Sequence, residues 1–168
     1  MPAARHVSLS GALAEIRAHL AQPRFSAFLE PVDRETIDLV ITDLARDANP
    51  TIDKALLLTS RATANVGYLR AKYDARTREA EQARDAALGQ ADGRVRQALH
   101  ANNAKVTEAM VAGQLSLDPA CRESETRYLV LVELSAHLRG LQVAVDHRFR
   151  ALEHLSHNVR QDRRESAD

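Results

Sequence analysis

From residue 118 to residue 164 the apolar positions recur in alternating steps of three and four. They run Leu131, Leu134, Leu138, Leu141, Val145, then Arg148, Leu152, Leu155 and Val159. That is the heptad spacing of a helix laying one narrow apolar seam on a partner. Asp118-Pro119 supplies the start, with Asp as cap and Pro at the first helical position. Some 46 residues at ~1.5 Å each give about 70 Å. A helix of that length outruns a compact ball of 168 residues. It is expected to pair with the helix near 50–90, with neighbouring subunits, or with both. Residues 128–132 (Tyr-Leu-Val-Leu-Val) read as a strand in isolation, but inside an unbroken three-four pattern they read as helix. A turn apolar all round is expected to be buried on more than one side. Arg148 interrupts the seam. Either its stem lies on the seam with its head reaching out, or it is a polar seam residue that fixes register.

The rest of the chain also reads as helices. Leu9, Leu13, Ile16 and Leu20 mark a first amphipathic helix, capped by Ser8 and stopped before Pro23. A linker over 23–31 carries Phe25, Phe28 and Leu29, which suggests docking rather than free solvation. Asp33 is placed to cap a second helix with Ile37, Val40, Ile41 and Leu44 on one face. Asn49-Pro50 restarts a helix in which Ile52, Leu56, Thr59, Thr63, Val66, Arg70 and Tyr73 keep coiled-coil spacing. Leu58, Ala62 and Leu69 form a second, weaker stripe. Beyond Tyr73 the helix turns Ala- and charge-rich, and Gly89 and Gly93 are expected to end or kink it. A turn at 100–103 and a short helix over 105–115 lead to Asp118. The expected fold class is all-α: an elongated helical hairpin or bundle with a long C-terminal helix and short N-terminal ones. The expected division is 1–48, a small N-terminal segment, and 49–168, a long hairpin for oligomerisation and DNA binding.

Composition supports this picture. Hydrophobic residues are 45%, but aromatics only 4% and Trp is absent, so the core must be aliphatic and Ala-rich. Such a core suits helix-on-helix packing. Basic and acidic residues balance at 23 each, so net charge alone predicts no polyanion binding. The balance is uneven along the chain. Residues 30–53 hold seven acids against two Arg, whereas Arg61, Arg70, Lys72, Arg76 and Arg78 face only Asp74. Arg94, Arg96 and Lys105 follow. Arg148, Arg150, Arg160, Arg163 and Arg164 then stand against Glu153 and Asp162. These clusters read either as solvated faces of long helices or as a surface that tracks phosphates. Tyr73 and Phe149 are the nearest aromatics for stacking on bases.

No chemistry of catalysis stands out. There is no Gly-rich phosphate loop, nucleophile elbow or His-Glu-x-x-His pair, so no enzyme is expected. His147, His154 and His157 share a basic outer stripe that gains charge below about pH 6.5, and no metal or cofactor is expected there. The lone Cys121 fits a reducing compartment. It lies at a helix start, where the dipole lowers a thiol pKa, but reads as a small core or interface residue. No apolar run approaches the ~18 residues of a membrane span, and residues 1–10 lack the apolar core of a signal peptide. A cytoplasmic protein with no membrane partner is expected.

One family resemblance stands on the C-terminal half. Lys105-Val-Thr-Glu-Ala-Met-Val is followed by Leu115-Ser-Leu-Asp-Pro. A long helix then has Tyr128 near its start and Asp146-His-Arg148-Phe149-Arg ahead of Leu152-Glu-His-Leu-Ser-His-Asn-Val-Arg160. The order resembles the phage recombination mediators typified by UvsY, over roughly 60–164. The resemblance implies a homo-oligomeric ring in the host cytoplasm that binds single-stranded DNA. It further implies displacement of single-strand-binding protein and loading of a RecA-like recombinase. It carries the family's basic pair onto Arg94 and Arg96, with Arg76, Arg78, Arg70, Lys72 and Lys105 as further phosphate contacts. The aromatics that follow that pair in the family are replaced by Ala98-Leu99-His100, and the first 48 or so residues have no counterpart. The seam assigns an oligomer interface to Tyr128, Leu131, Leu134, Leu138, Leu141, Val145, Arg148, Leu152 and Leu155. The alternative is a structural helical scaffold or chaperone-type protein with no nucleic-acid role.

Overall fold

A computed structural model describes residues 9–45, 51–102 and 105–165, and every regular element among them is an α-helix. In chain order these are α1 (Leu9–Leu20), α2 (Pro23–Ser26), α3 (Pro31–Ala45), α4 (Ile52–Ala101), α5 (Glu108–Leu117) and α6 (Pro119–Glu165). The long C-terminal helix and the short N-terminal ones follow the sequence pattern. Ser8 and Asn49-Pro50, read as helix starts, lie outside the described residues. The residues form two compact units, one drawn from Met1–Ala71 and Ala136–Asp168, the other from Lys72–Ser135.

The first unit packs α1, α2, α3, the start of α4 and the end of α6 around aliphatic side chains. Leu13, Leu20, Phe25, Leu29, Ile37, Val40, Ile41 and Leu44 are buried. Each fully buried Leu, Ile, Val or Phe stabilises the fold by about 1.5–3 kcal/mol relative to exposure. The expected linker at 23–31 contains α2, whose Pro opens the helix. Phe25 is fully buried and meets the His137 ring edge-on at 5.5 Å. His137 in turn stacks on His19 at 4.9 Å.

Helix α3 starts three residues earlier than expected. The amides of Asp33 and Arg34 reach back to the Glu30 carbonyl at 3.0 and 3.1 Å. Asp33 therefore sits buried in the first turn instead of capping it, where its negative charge suits the helix dipole. Both stripes read on α4 are used. Thr59 and Val66 are buried, and so are Ala55, Ala62 and Leu69. Burying two faces brings polar threonines inside, and each is satisfied by its own helix. Thr59 donates to the Ala55 carbonyl at 2.8 Å and Thr63 to the Thr59 carbonyl at 3.0 Å.

In the second unit α4 and α6 run antiparallel, since residue numbers rise on one as they fall on the other. Thr77 meets Ser135 at 3.1 Å and donates to the Leu131 carbonyl at 3.3 Å. Further on, the Arg84 guanidinium lies 4.3 Å over the Tyr128 ring. The Cys121 thiol reaches the Ala87 carbonyl at 3.7 Å. Gly89 and Gly93 do not end α4, which runs on to Ala101. Two glycines cost about 1 kcal/mol each in a helix interior. Alanines around them and the buried Ala91 hold the helix through. Helix α5 starts at Glu108, three residues later than read, because Thr107 caps it by accepting from the Met110 amide at 3.3 Å.

Candidate nucleic-acid interface

The basic residues singled out in the sequence are in three different situations. Arg94 and Arg96 stand near the end of α4. Arg94 reaches Asp118 at 3.0 Å. Arg96 holds Asp92 one turn away at 2.8 Å and grips both oxygens of Glu108, at 3.1 and 2.9 Å. Glu108, then Asp92, push the Arg96 guanidinium further toward the charged form. Asp118 is engaged on both sides. It caps α6 by accepting from the amides of Ala120 and Cys121 at 2.9 and 3.1 Å. Its carboxyl lies below the ordinary value, first because of the Cys121 amide and then because of Arg94 and the Ala120 amide. The pair expected to bind phosphates thus ties the end of α4 to α5 and to the start of α6. Phosphate contact by either arginine would have to compete with these carboxylates.

The second group clusters around Tyr73. Arg76 lies 5.4 Å over the Tyr73 ring with a nitrogen 3.5 Å from its hydroxyl, and the Lys72 ammonium is 6.0 Å from the ring centre. Tyr73 itself is fully buried, so it cannot stack on a base. Phe149 is half-buried. Arg70 is half-buried, with its Nε buried and without a hydrogen-bond partner.

Third come the exposed cations. Arg78 makes no ion pair among the described residues and is exposed, as is Lys105 in the connection between α4 and α5. On α6 Arg150 and Arg160 are exposed beside His147, His154 and His157.

The seam assigned to subunit contacts is occupied within one chain. Leu131 is 2% exposed, and Leu134, Leu138, Leu141 and Val145 are fully buried. These five side chains pack inside one chain. At 128–132, where burial on more than one side is expected, burial within the chain is uneven. Leu131 is buried, Tyr128 is half-buried under Arg84, and Leu129 and Val132 are exposed. Leu152 is half-buried and Leu155 is 52% exposed, so the seam opens toward the C-terminal end.

Arg148 has a specific task. Its guanidinium donates to the Leu44 carbonyl, in the last turn of α3. That turn has no basic residue of its own. A cation at a helix C-terminus satisfies an orphan carbonyl and meets the negative end of the dipole. Sequence spacing gave no hint of this, because the partner lies over a hundred residues away on another helix.

Burial, aided by Asp118, raises the Cys121 thiol above its ordinary value, the reverse of an activated nucleophile. A cleft of about 290 Å³ between α1 and α3 is lined by Arg17, Arg34 and Asp38 over Leu20, Leu29 and Ile37. Its polar groups are engaged with each other: Arg17 with Asp38 at 3.1 Å, and Arg34 with the Ser26 and Leu29 carbonyls. Among the described residues no group of three or more His, Cys, Asp or Glu is placed to hold a metal. One helix, α6, is long and apolar enough to cross a membrane by length and composition alone. The same helix carries the buried Leu134 and Leu138, as the core helix of a helical protein does. Compared with protein-family models, with curated proteins and with solved structures, the chain matches none.

Proposed function

We propose that this chain is a non-enzymatic recombination mediator, self-associating, that binds single-stranded DNA and helps load a RecA-like recombinase in place of single-strand-binding protein. The observation that carries the reading is the order of elements over the residues that bear the resemblance. A ten-residue α5, the single acidic Asp118 and the 47-residue α6 follow one another without a gap. Phosphate contacts are assigned to Lys72, Arg76 and Arg78, while Arg94 and Arg96 hold carboxylates. Lys72 and Arg76 are held against Tyr73, and Arg78 stands exposed two residues on. Backbone contacts of this kind are independent of sequence and weaken with salt.

A second reading, a helical scaffold with no nucleic-acid role, is favoured by one observation. The best-matched basic pair is neutralised inside the chain.

Two double variants separate these readings. Arg76→Ala with Arg78→Ala should weaken binding to a labelled single strand and lower the salt slope by roughly 1.4, at ~0.7 per lost phosphate contact. Arg94→Ala with Arg96→Ala should leave that slope in place and lower thermal stability. An unchanged slope in the first variant would remove the 72–78 cluster from the interface.

A further inference from the structure

One face of α4 in the first unit is exposed among the described residues. On α4, Leu57 is 70% exposed and Tyr68 64%. Between them, on the same side of the helix, lie Ser60, Arg61, Ala64 and Gly67, with Ala71 one turn beyond Tyr68, all exposed. A Cβ added at Gly67 would meet nothing within 4 Å. From 57 to 71 this face carries no carboxylate and a single cation, Arg61.

We propose that this face pairs with the same face of a second copy, the two helices antiparallel about a two-fold axis at Ala64. The occupant follows from self-complementarity in size and charge. Antiparallel helices related by that axis set Ala64 against Ala64, the smallest contact available, so the backbones approach closely. One turn out, Ser60 meets Gly67 on one side, and on the other Arg61 meets Tyr68. Two turns out, Leu57 meets Ala71.

Arg61 over the Tyr68 ring is an attractive charge pairing, made twice by the symmetry. The arginine is prepared for it. Asp43, itself 4% exposed at the side chain, holds its guanidinium at 2.5 Å while half of the Arg61 side chain stays in solvent. Apart from Arg61 this face offers no charge to a highly charged partner, whereas a copy of the chain finds its own complement. Four helical turns from each partner form a small contact, so the dimer should be weak and concentration-dependent. The inference rests on the self-associating part of the proposed function and not on DNA.

The test is sedimentation of the full chain without nucleic acid, from ~1 to ~500 µM. A monomer–dimer equilibrium is expected. Ala64→Glu places two carboxylates face to face on the axis, which should raise the dissociation constant on the order of a hundredfold. Ala64 is exposed and Glu is a good helix former, so the thermal melt should not move. Register is read by oxidative crosslinking. A chain with Ala64→Cys should link to itself. Leu57→Cys and Ala71→Cys chains should link when mixed, and neither should link alone. A monomer across the range, a dimer unaffected by Ala64→Glu, or self-linking of Leu57→Cys overturns the proposal. A monomer that still binds single strands removes this dimer and leaves DNA binding in place; a dimer that binds none does the reverse.

Discussion

Arg148 shows how one side chain can look like a flaw and act as a joint. In the sequence it breaks an apolar seam at a seam position. In the fold its stem stays with the seam while its guanidinium closes the last turn of α3. Replacing it by Met keeps the stem and removes the cap. If capping is the role, Arg148→Met should lower stability by about 1–2 kcal/mol in urea unfolding. A Met that is neutral or stabilising would mean that only the stem matters. Asp118 makes the complementary case for an anion at a helix start. Folding lowers its carboxyl, through the Cys121 amide first and Arg94 next, so the folded chain favours the ionised form. That contribution is complete above the unfolded value near ~3.9 and is lost as pH falls through the folded value. Asp118→Asn keeps an acceptor and drops the charge. The stability gap between wild type and variant should therefore shrink on acidification from pH ~6 to ~3. A gap independent of pH would assign the effect to cap geometry alone.

At the scale of elements, periodicity carried most of the architecture. The spacing of Leu9, Leu13, Ile16 and Leu20 and the Asp118-Pro119 start are both matched by helices, α1 and α6. What periodicity could not show is which surface covers a seam. Leu131 to Val145 look the same in a sequence whether a copy or the chain's own helices lie against them. The two stripes on α4 were the available signal that enough apolar surface exists within one chain. Local propensity also misled at Gly89 and Gly93, where packing overrides a penalty that would end an isolated helix. Because a Cβ at either position meets nothing within 4 Å, Gly89→Ala and Gly93→Ala should each stabilise the protein. The gain expected is about 0.5–1 kcal/mol apiece, read from the urea midpoint. A loss at either site would show that the helix is bent there and needs the glycine.

At the scale of the whole molecule the candidate site was the least legible part. Basic residues are visible in a sequence, but their partners are not. Arg96 meets Glu108 across the turn between two helices, and Arg94 meets Asp118 another ten residues on. Neither pairing follows from helical spacing. Exposed salt bridges contribute only about 0–1 kcal/mol each, yet they decide which cations remain for a ligand. The most direct measurement is the affinity of the intact chain for a labelled single-stranded oligonucleotide, followed from ~50 to ~300 mM salt. The account predicts binding at the lowest salt and a linear fall of log affinity with log salt, with a slope of roughly −2 for three contacts per subunit. Absence of binding at ~50 mM, where phosphate contacts are strongest, would contradict it.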